Sequence, residues 1–580
     1  MQFRSRALAL IVAAPLLAAT ACSKSPANGS SGTASSSGGA SSSGSPAASA
    51  KKKLGVRPNG DTEIAPDLTK VSSPELKKVY EYIDEHVDEH VENLQKWIQQ
   101  PSISNTGEGI QESAEMVKGF FDQLGCQESK IYDVGVAEWG QQSNPVVYAK
   151  CDEGAEKTVV IYWMYDTMPV TQPDLWKAPP FEGRLVEQAP FKKVLIGRGA
   201  TNSKGPQMAM WNAFMSMKAV NGKLPVNLII VAEGDEERMS MGYRTFIKAH
   251  PDLFKSADAM YRFGGQSFNG GGELSGGSEG LFYVELTTSG KKWGRGPNYS
   301  DIHGGFKRAV DSPAWRHIKM LSTLVDDTGN KVMIDGFYDH IAPLTKAEED
   351  KLRDQSSRID LATAAKNLGV ERFIADTPYD FLKMSRYGTS MNLDGIWAGN
   401  MFAGGSGAIL PNKVTSKHSF RYVPDMSSKD ILAKLRKHLD KHGYTDVEIN
   451  VIGDQPWAKM RYDTEIAKAL TQTYDIFGIR YSQPSMVASI LSPAWPAYLF
   501  AGDPLNIPVV GGSAGHGGNA HAANEFYVIE GAGKVYGIAG AEKSIATVLY
   551  TYAGKNPAPA AVTQNDVPAP AGAAKPPKTN

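Results

Sequence analysis

Leu228-Ile229-Ile230-Val231 is a short apolar, β-branched run, and Glu233-Gly234-Asp235-Glu236-Glu237 follows it with four acids in five residues. Carboxylates this close repel one another unless a bound cation or a raised pKa relieves them, so the loop is either a solvated acidic turn or a site. Similar short runs at 145–150 and 158–163 alternate with helical stretches at 111–124 and 207–220. Strand and helix in alternation predict an α/β domain with a mainly parallel sheet. In such sheets the working residues sit in loops beyond the strand ends. Residues 164–169 and 233–237 occupy those places.

The chain has 580 residues, room for about three or four domain equivalents. Its net charge of -1 supplies no basic field for phosphates, so nucleic-acid binding is not expected. Arg4 and Arg6, an apolar run and Ala19-Thr20-Ala21-Cys22 read as a secretory signal over residues 1–21 with a lipoprotein-type Cys22. An exported protein anchored through a lipid on Cys22, facing the periplasm from the outer membrane, is the expectation. Residues 22–69 read as a tether rich in Ser, Gly and Ala, and 554–580 as a disordered Pro/Ala-rich tail. Cys126 and Cys151 are then left, and an oxidising compartment could join them.

A helix is predicted over 74–100, with Val79, Ile83, Val87, Val91, Leu94 and Ile98 on one face. It contains His86-Val87-Asp88-Glu89-His90, an H-x-x-E-H pattern seen in inverted zincins. In a segment so rich in charge, the plainer reading is a solvated helical face.

Several ordered segments carry a resemblance. Tyr165-Asp166-Thr167-Met168-Pro169, Gly197-Arg198-Gly199-Ala200-Thr201-Asn202-Ser203-Lys204-Gly205-Pro206 and Glu233 to Ser240 are three of them. Ser300-Asp301-Ile302-His303-Gly304-Gly305, Asn392-Leu393-Asp394-Gly395, Ser419-Phe420-Arg421-Tyr422 and Asn519-Ala520-His521-Ala522-Ala523-Asn524-Glu525 follow in order. Together they resemble the zinc exopeptidases of peptidase family M20, which include carnosine dipeptidases, aminoacylase and carboxypeptidase G, and most closely the dipeptidase branch. The resemblance implies a phosphorylase/hydrolase-like α/β catalytic domain over 70–279 and 458–553. Into it is inserted an α+β, ferredoxin-like lid domain over 280–457 that often mediates homodimers.

The same resemblance implies roles residue by residue. Glu236 falls on the general base, Glu237 and His521 on metal ligands, and Asp166 on the carboxylate that buttresses a ligand His. His303 falls on the lid His that polarises the scissile carbonyl, and Arg421 on a substrate-carboxylate Arg, with Asn392 beside it in the substrate region. Three ligand positions depart from the pattern: Met164 stands for a His, Asn202 for the bridging Asp, and Gly264 for an Asp. A clear GGSIP box is missing.

Zinc needs three or four N, O or S donors. The site that depended on positions 164, 202 and 264 should be empty, and the other keeps Glu237, His521 and a weak, neutral Asn202. One zinc ion or none is expected, not a di-zinc centre. Met164 is a soft thioether that suits Cu(I), although a lone Met is more often packing. His516, in a Gly-rich loop five residues before His521, is a candidate replacement ligand or acid/base. The leading expectation is a hydrolase of amide bonds in dipeptide-like or N-acyl amino acid substrates. Metal-free acid/base chemistry (cyclisation, acyl transfer, isomerisation) and a non-catalytic peptide or amino-acid binder are the alternatives.

Overall fold

The computed structural model describes residues 53–558 except 275–276, 358, 403, 405, 460–462 and 482–493. The signal, Cys22 and most of the expected tether and tail lie outside the described residues.

A six-stranded sheet organises the catalytic half. Its strands are β1 (Glu128–Tyr132), β2 (Val146–Cys151), β3 (Thr158–Met164), β4 (Asn227–Glu233) and β5 (Ala259–Arg262), joined by a late strand at Val509–Gly511. From one edge the order is the late strand, β5, β3, β4, β2, β1; the first four run parallel, and the β1–β2 edge is antiparallel. All seven residues of β3 are buried. Val159, Ile161 and Trp163 enter one apolar core, Val160, Tyr162 and Met164 the other, as a period of two between two helical layers requires. The active loops leave the carboxyl ends of β3, β4 and β5 side by side.

The expected helix over 74–100 is two helices, α1 (Pro74–Glu85) and α2 (Val87–Gln99), hinged at His86. The six apolar positions are all buried. The H-x-x-E-H pattern builds no metal site among the described residues, and its solvated face is partial: Glu89 is exposed, whereas Val87 and His90 are buried. His86 folds back to stack on Tyr82, whereas buried His90 bonds Glu542 through Nδ1 at 2.7 Å. α3 (Gly205–Asn221) is buried along most of its length, and Gly222 closes it at φ +72°.

The inserted domain has a four-stranded antiparallel sheet built from β6 (Gly280–Ser289), β7 (Ser390–Trp397), β8 (Lys413–Tyr422) and β9 (Glu448–Gln455), in the order β7-β8-β6-β9. α4 (Pro313–Leu324) and α5 (Ser428–Lys441) contribute Met320, Leu324, Ile431, Leu435 and Leu439 to the core beneath it. Three helices between Lys346 and Tyr387 add to the two-helix plan expected of the lid.

Two boundaries differ from expectation. Residues 54–69 are not tether: Val56 donates its N–H to Asp88, Arg57 pairs with Glu530, and Asp61–Thr62 pairs with Ala532–Gly533. At the other end the chain stays docked to Asn556, which is buried and accepts the Ser72 N–H. Cys126 and Cys151 form a disulfide.

Candidate active site

Asp166 is the keystone. It is 1% exposed, two residues beyond β3, and its two oxygens accept the backbone N–H groups of Glu236 (3.2 Å) and Glu237 (3.1 Å). The acidic loop is thereby tied to the neighbouring strand end. Burial, then the charge of Asp235, pushes the Asp166 carboxyl up to about 7 against those two N–H bonds. Within the acidic run the labour is divided. Glu233 turns inward to accept from Tyr162 and Ser240, and Asp235 accepts the Asn144 N–H and pairs with Arg238. Glu236 and Glu237 are left for the site.

Both carboxyls sit well above the usual carboxylate range. For Glu236 the cause is burial, then Glu237 and Asp166, partly offset by His521 and Arg262. For Glu237 it is burial, then Asp166 and Glu525, partly offset by Arg198 and Asn202.

Asn202, Glu237 and His521 meet in one contact. Asn202 Nδ2 donates to Glu237 Oε1 at 2.8 Å and lies 2.9 Å from His521 Nε2, which is itself 3.0 Å from Glu237 Oε1. The amide oxygen accepts the Ser203 hydroxyl at 3.0 Å, which turns the nitrogen inward. His521 stands in the loop between Gly517–Gly518 and Phe526–Val528, at φ +62°, in the left-handed region. The sequence reading passed over the residue that holds this arrangement. Buried Glu525 pairs with Arg198 (2.8 Å) and accepts the N–H groups of Gly199, Thr201 and Asn202. Its sequence signal is an acid and an arginine, each inside a quoted motif, that only the fold brings together.

The residues do not fit a pair of zinc ions. Met164 is a core residue whose sulfur lies 3.3 Å from the Ser203 hydroxyl oxygen. At position 264 a Cβ would stand 2.6 Å from Gly512 Cα and 2.9 Å from its nitrogen, so no carboxylate side chain can start there. Asn202, expected as a weak ligand, presents N–H groups, not a lone pair, to Glu237 and His521. Among the described residues no group of three His, Cys, Asp or Glu has metal-holding geometry.

The remaining candidates are dispersed. His516 donates from or accepts at Nδ1 with the Gln266 carbonyl (2.7 Å); because a carbonyl only accepts, Nδ1 carries the proton and Nε2 is the lone-pair nitrogen. Burial holds its pKa below the usual value. With Asn202, Ser203 and Gly264 it lines a cavity of about 1020 Å³, so it is not a free surface histidine. His303 is exposed, and its Nδ1 accepts the Gly305 N–H. Among the described residues no hydrogen bond links it to Glu236 or Glu237. Arg421 is paired with Glu279 at 2.6 Å, and Asn392 donates to Asp394 on the exposed strand β7. The structure therefore brings together Asp166, Glu236, Glu237, Asn202 and His521, with His516 near Asn202, and leaves His303, Arg421 and Asn392 in local contacts of the lid.

A switch-point acidic centre in an α/β domain, with a second α+β domain inserted, is the architecture of a zinc-exopeptidase-type hydrolase. Residues 163–538 match the family model described as peptidase family M20/M25/M40. The chain belongs to that family, whose members are metal-dependent hydrolases of peptide and related amide bonds. It is 29% identical over 428 residues to the Cys-Gly metallodipeptidase DUG1 of Candida albicans, covering 70% of this chain and 84% of that one. To the Beta-Ala-His dipeptidase of Rattus norvegicus it is 26% identical over 444 residues, covering 72% and 85%. Among solved structures, the di-peptidase Dug1p of Saccharomyces cerevisiae superposes with a TM-score of 0.71 at 25% identity, over 83% of this chain and 98% of that one.

Proposed function

We propose that the protein hydrolyses the amide bond of small dipeptide-like or N-acyl amino acid substrates, with Glu236 as the base and without the paired-zinc arrangement. One observation carries the reading: Glu236 and Glu237 are fixed by Asp166 at the strand ends, beside His521, in a centre otherwise short of ligands. A half-buried carboxyl with a raised pKa can take a proton from water and return it to the leaving amine. The Cys126–Cys151 disulfide supports export, in keeping with a lipid-anchored protein on the periplasmic face of the outer membrane. A homodimer through the lid completes the proposal. Purified protein is expected to release free amino acids from a panel of dipeptides and N-acetyl amino acids followed by mass spectrometry. No product from any panel member would contradict the proposal.

A further inference from the structure

We infer that the two amide protons of Asn202 take the place of the cation in this centre, so that the protein assembles its site without zinc. Three atoms converge there: Asn202 Nδ2, Glu237 Oε1 and His521 Nε2, separated by 2.8, 2.9 and 3.0 Å. With the His521 proton on Nδ1, Nε2 and the Glu237 oxygen both face the amide nitrogen as acceptors. An amide nitrogen offers two protons, one for each, and satisfies both without a net charge.

The opposite orientation would turn Oδ1 inward and take both amide protons away from Glu237 and His521. The surroundings select the first. The Ser203 hydroxyl donates to Oδ1 at 3.0 Å, and Glu525 fixes the backbone by accepting the Asn202 N–H at 2.8 Å. Zinc bonds to N and O donors run about 2.0–2.2 Å, with three such ligands and a water in catalytic sites. Here one of the three donors is directed by its protons toward the other two. The neighbouring positions cannot compensate, because Met164 is committed to the apolar core and position 264 has no room for a side chain. The inference concerns the same centre as the proposed hydrolase, but its test is separate: it reads metal, not turnover.

The test is elemental mass spectrometry of the full chain purified without added metal, with calorimetric titration of ZnCl2 and melting curves with and without zinc. Wild type is expected to carry less than about a tenth of a zinc per chain and to show no zinc-dependent rise in melting temperature. Asn202→Asp makes a third donor, the second anionic one, beside Glu237 and His521 and is expected to take up about one zinc per chain, with a higher melting temperature. His521→Ala added to that variant should abolish the uptake. Stoichiometric zinc in wild type, lost in His521→Ala, would overturn the inference, and so would an Asn202→Asp protein that folds and takes up none. Should the Asp variant fail to fold, the wild-type content decides alone. Turnover by zinc-free wild type upholds both proposals, zinc with turnover sinks only this one, and zinc-free protein without turnover sinks only the hydrolase.

Discussion

Gly264 shows how one residue closes a chemical option. Its missing side chain is imposed by the close approach of the Gly512 backbone, so an Asp restored here would clash before it could ligate. Gly264→Asp is expected to lower stability by about 1–3 kcal/mol, as overpacking does, and to bind no added zinc. Chemical denaturation and metal analysis check the two halves. Met164 is equally committed, since its place in the core follows from the alternation along β3. These departures were visible in the sequence as Met, Asn and Gly at ligand positions. The inward turn of the Asn202 amide was not, because it depends on the Ser203 hydroxyl and on a carboxylate 323 residues away in sequence.

Among the elements, the loop that carries Asn202 and the loop that carries His521 are one cooperative unit through Glu525. Glu525→Ala would leave the Arg198 guanidinium buried without its charge partner and three backbone N–H groups unmet. A loss of about 3–5 kcal/mol is expected in urea denaturation, with a smaller loss for Glu525→Gln, which keeps an acceptor. The lid has its own polar core: Thr288 bonds His317, which bonds Ser416, which bonds His418. Burial lowers both histidines to about 4. Their unfolded forms take up protons below about pH 6.5 while the folded forms do not, so the unfolded state binds more protons and stability rises with pH across this window. Between pH 6.5 and 4 the lid should lose stability of order 3 kcal/mol per histidine, seen as lower hydrogen-exchange protection factors in β6 and β8 once the pH dependence of intrinsic exchange is divided out. Equal protection factors at both pH values would contradict this. Periodicity located these strands, but not the histidine chain, because a buried His and a surface His look alike in sequence. The hinge at His86 was hidden for a related reason: α1 and α2 continue one apolar stripe across it.

For the whole molecule, the α/β plan with its insertion was legible because ordered motifs mark each strand end. The docking of residues 54–69 was not, because it rests on scattered contacts, Val56 in the apolar core and Arg57 with Glu530, with no periodic apolar pattern to announce it. Cys126 and Cys151 close a loop with a sequence separation of 25. Reduction is expected to cost about 3 kcal/mol by the loop-entropy relation, read as a lower melting temperature in dithiothreitol. The central claim is that Glu236 performs amide hydrolysis in this fold. It is tested most directly by kcat/KM for wild type and Glu236→Gln on the best substrate of the dipeptide and N-acyl panel, with melting temperatures measured alongside. The account predicts a loss of at least about 100-fold with an unchanged melting temperature. Equal rates for the two proteins would contradict it.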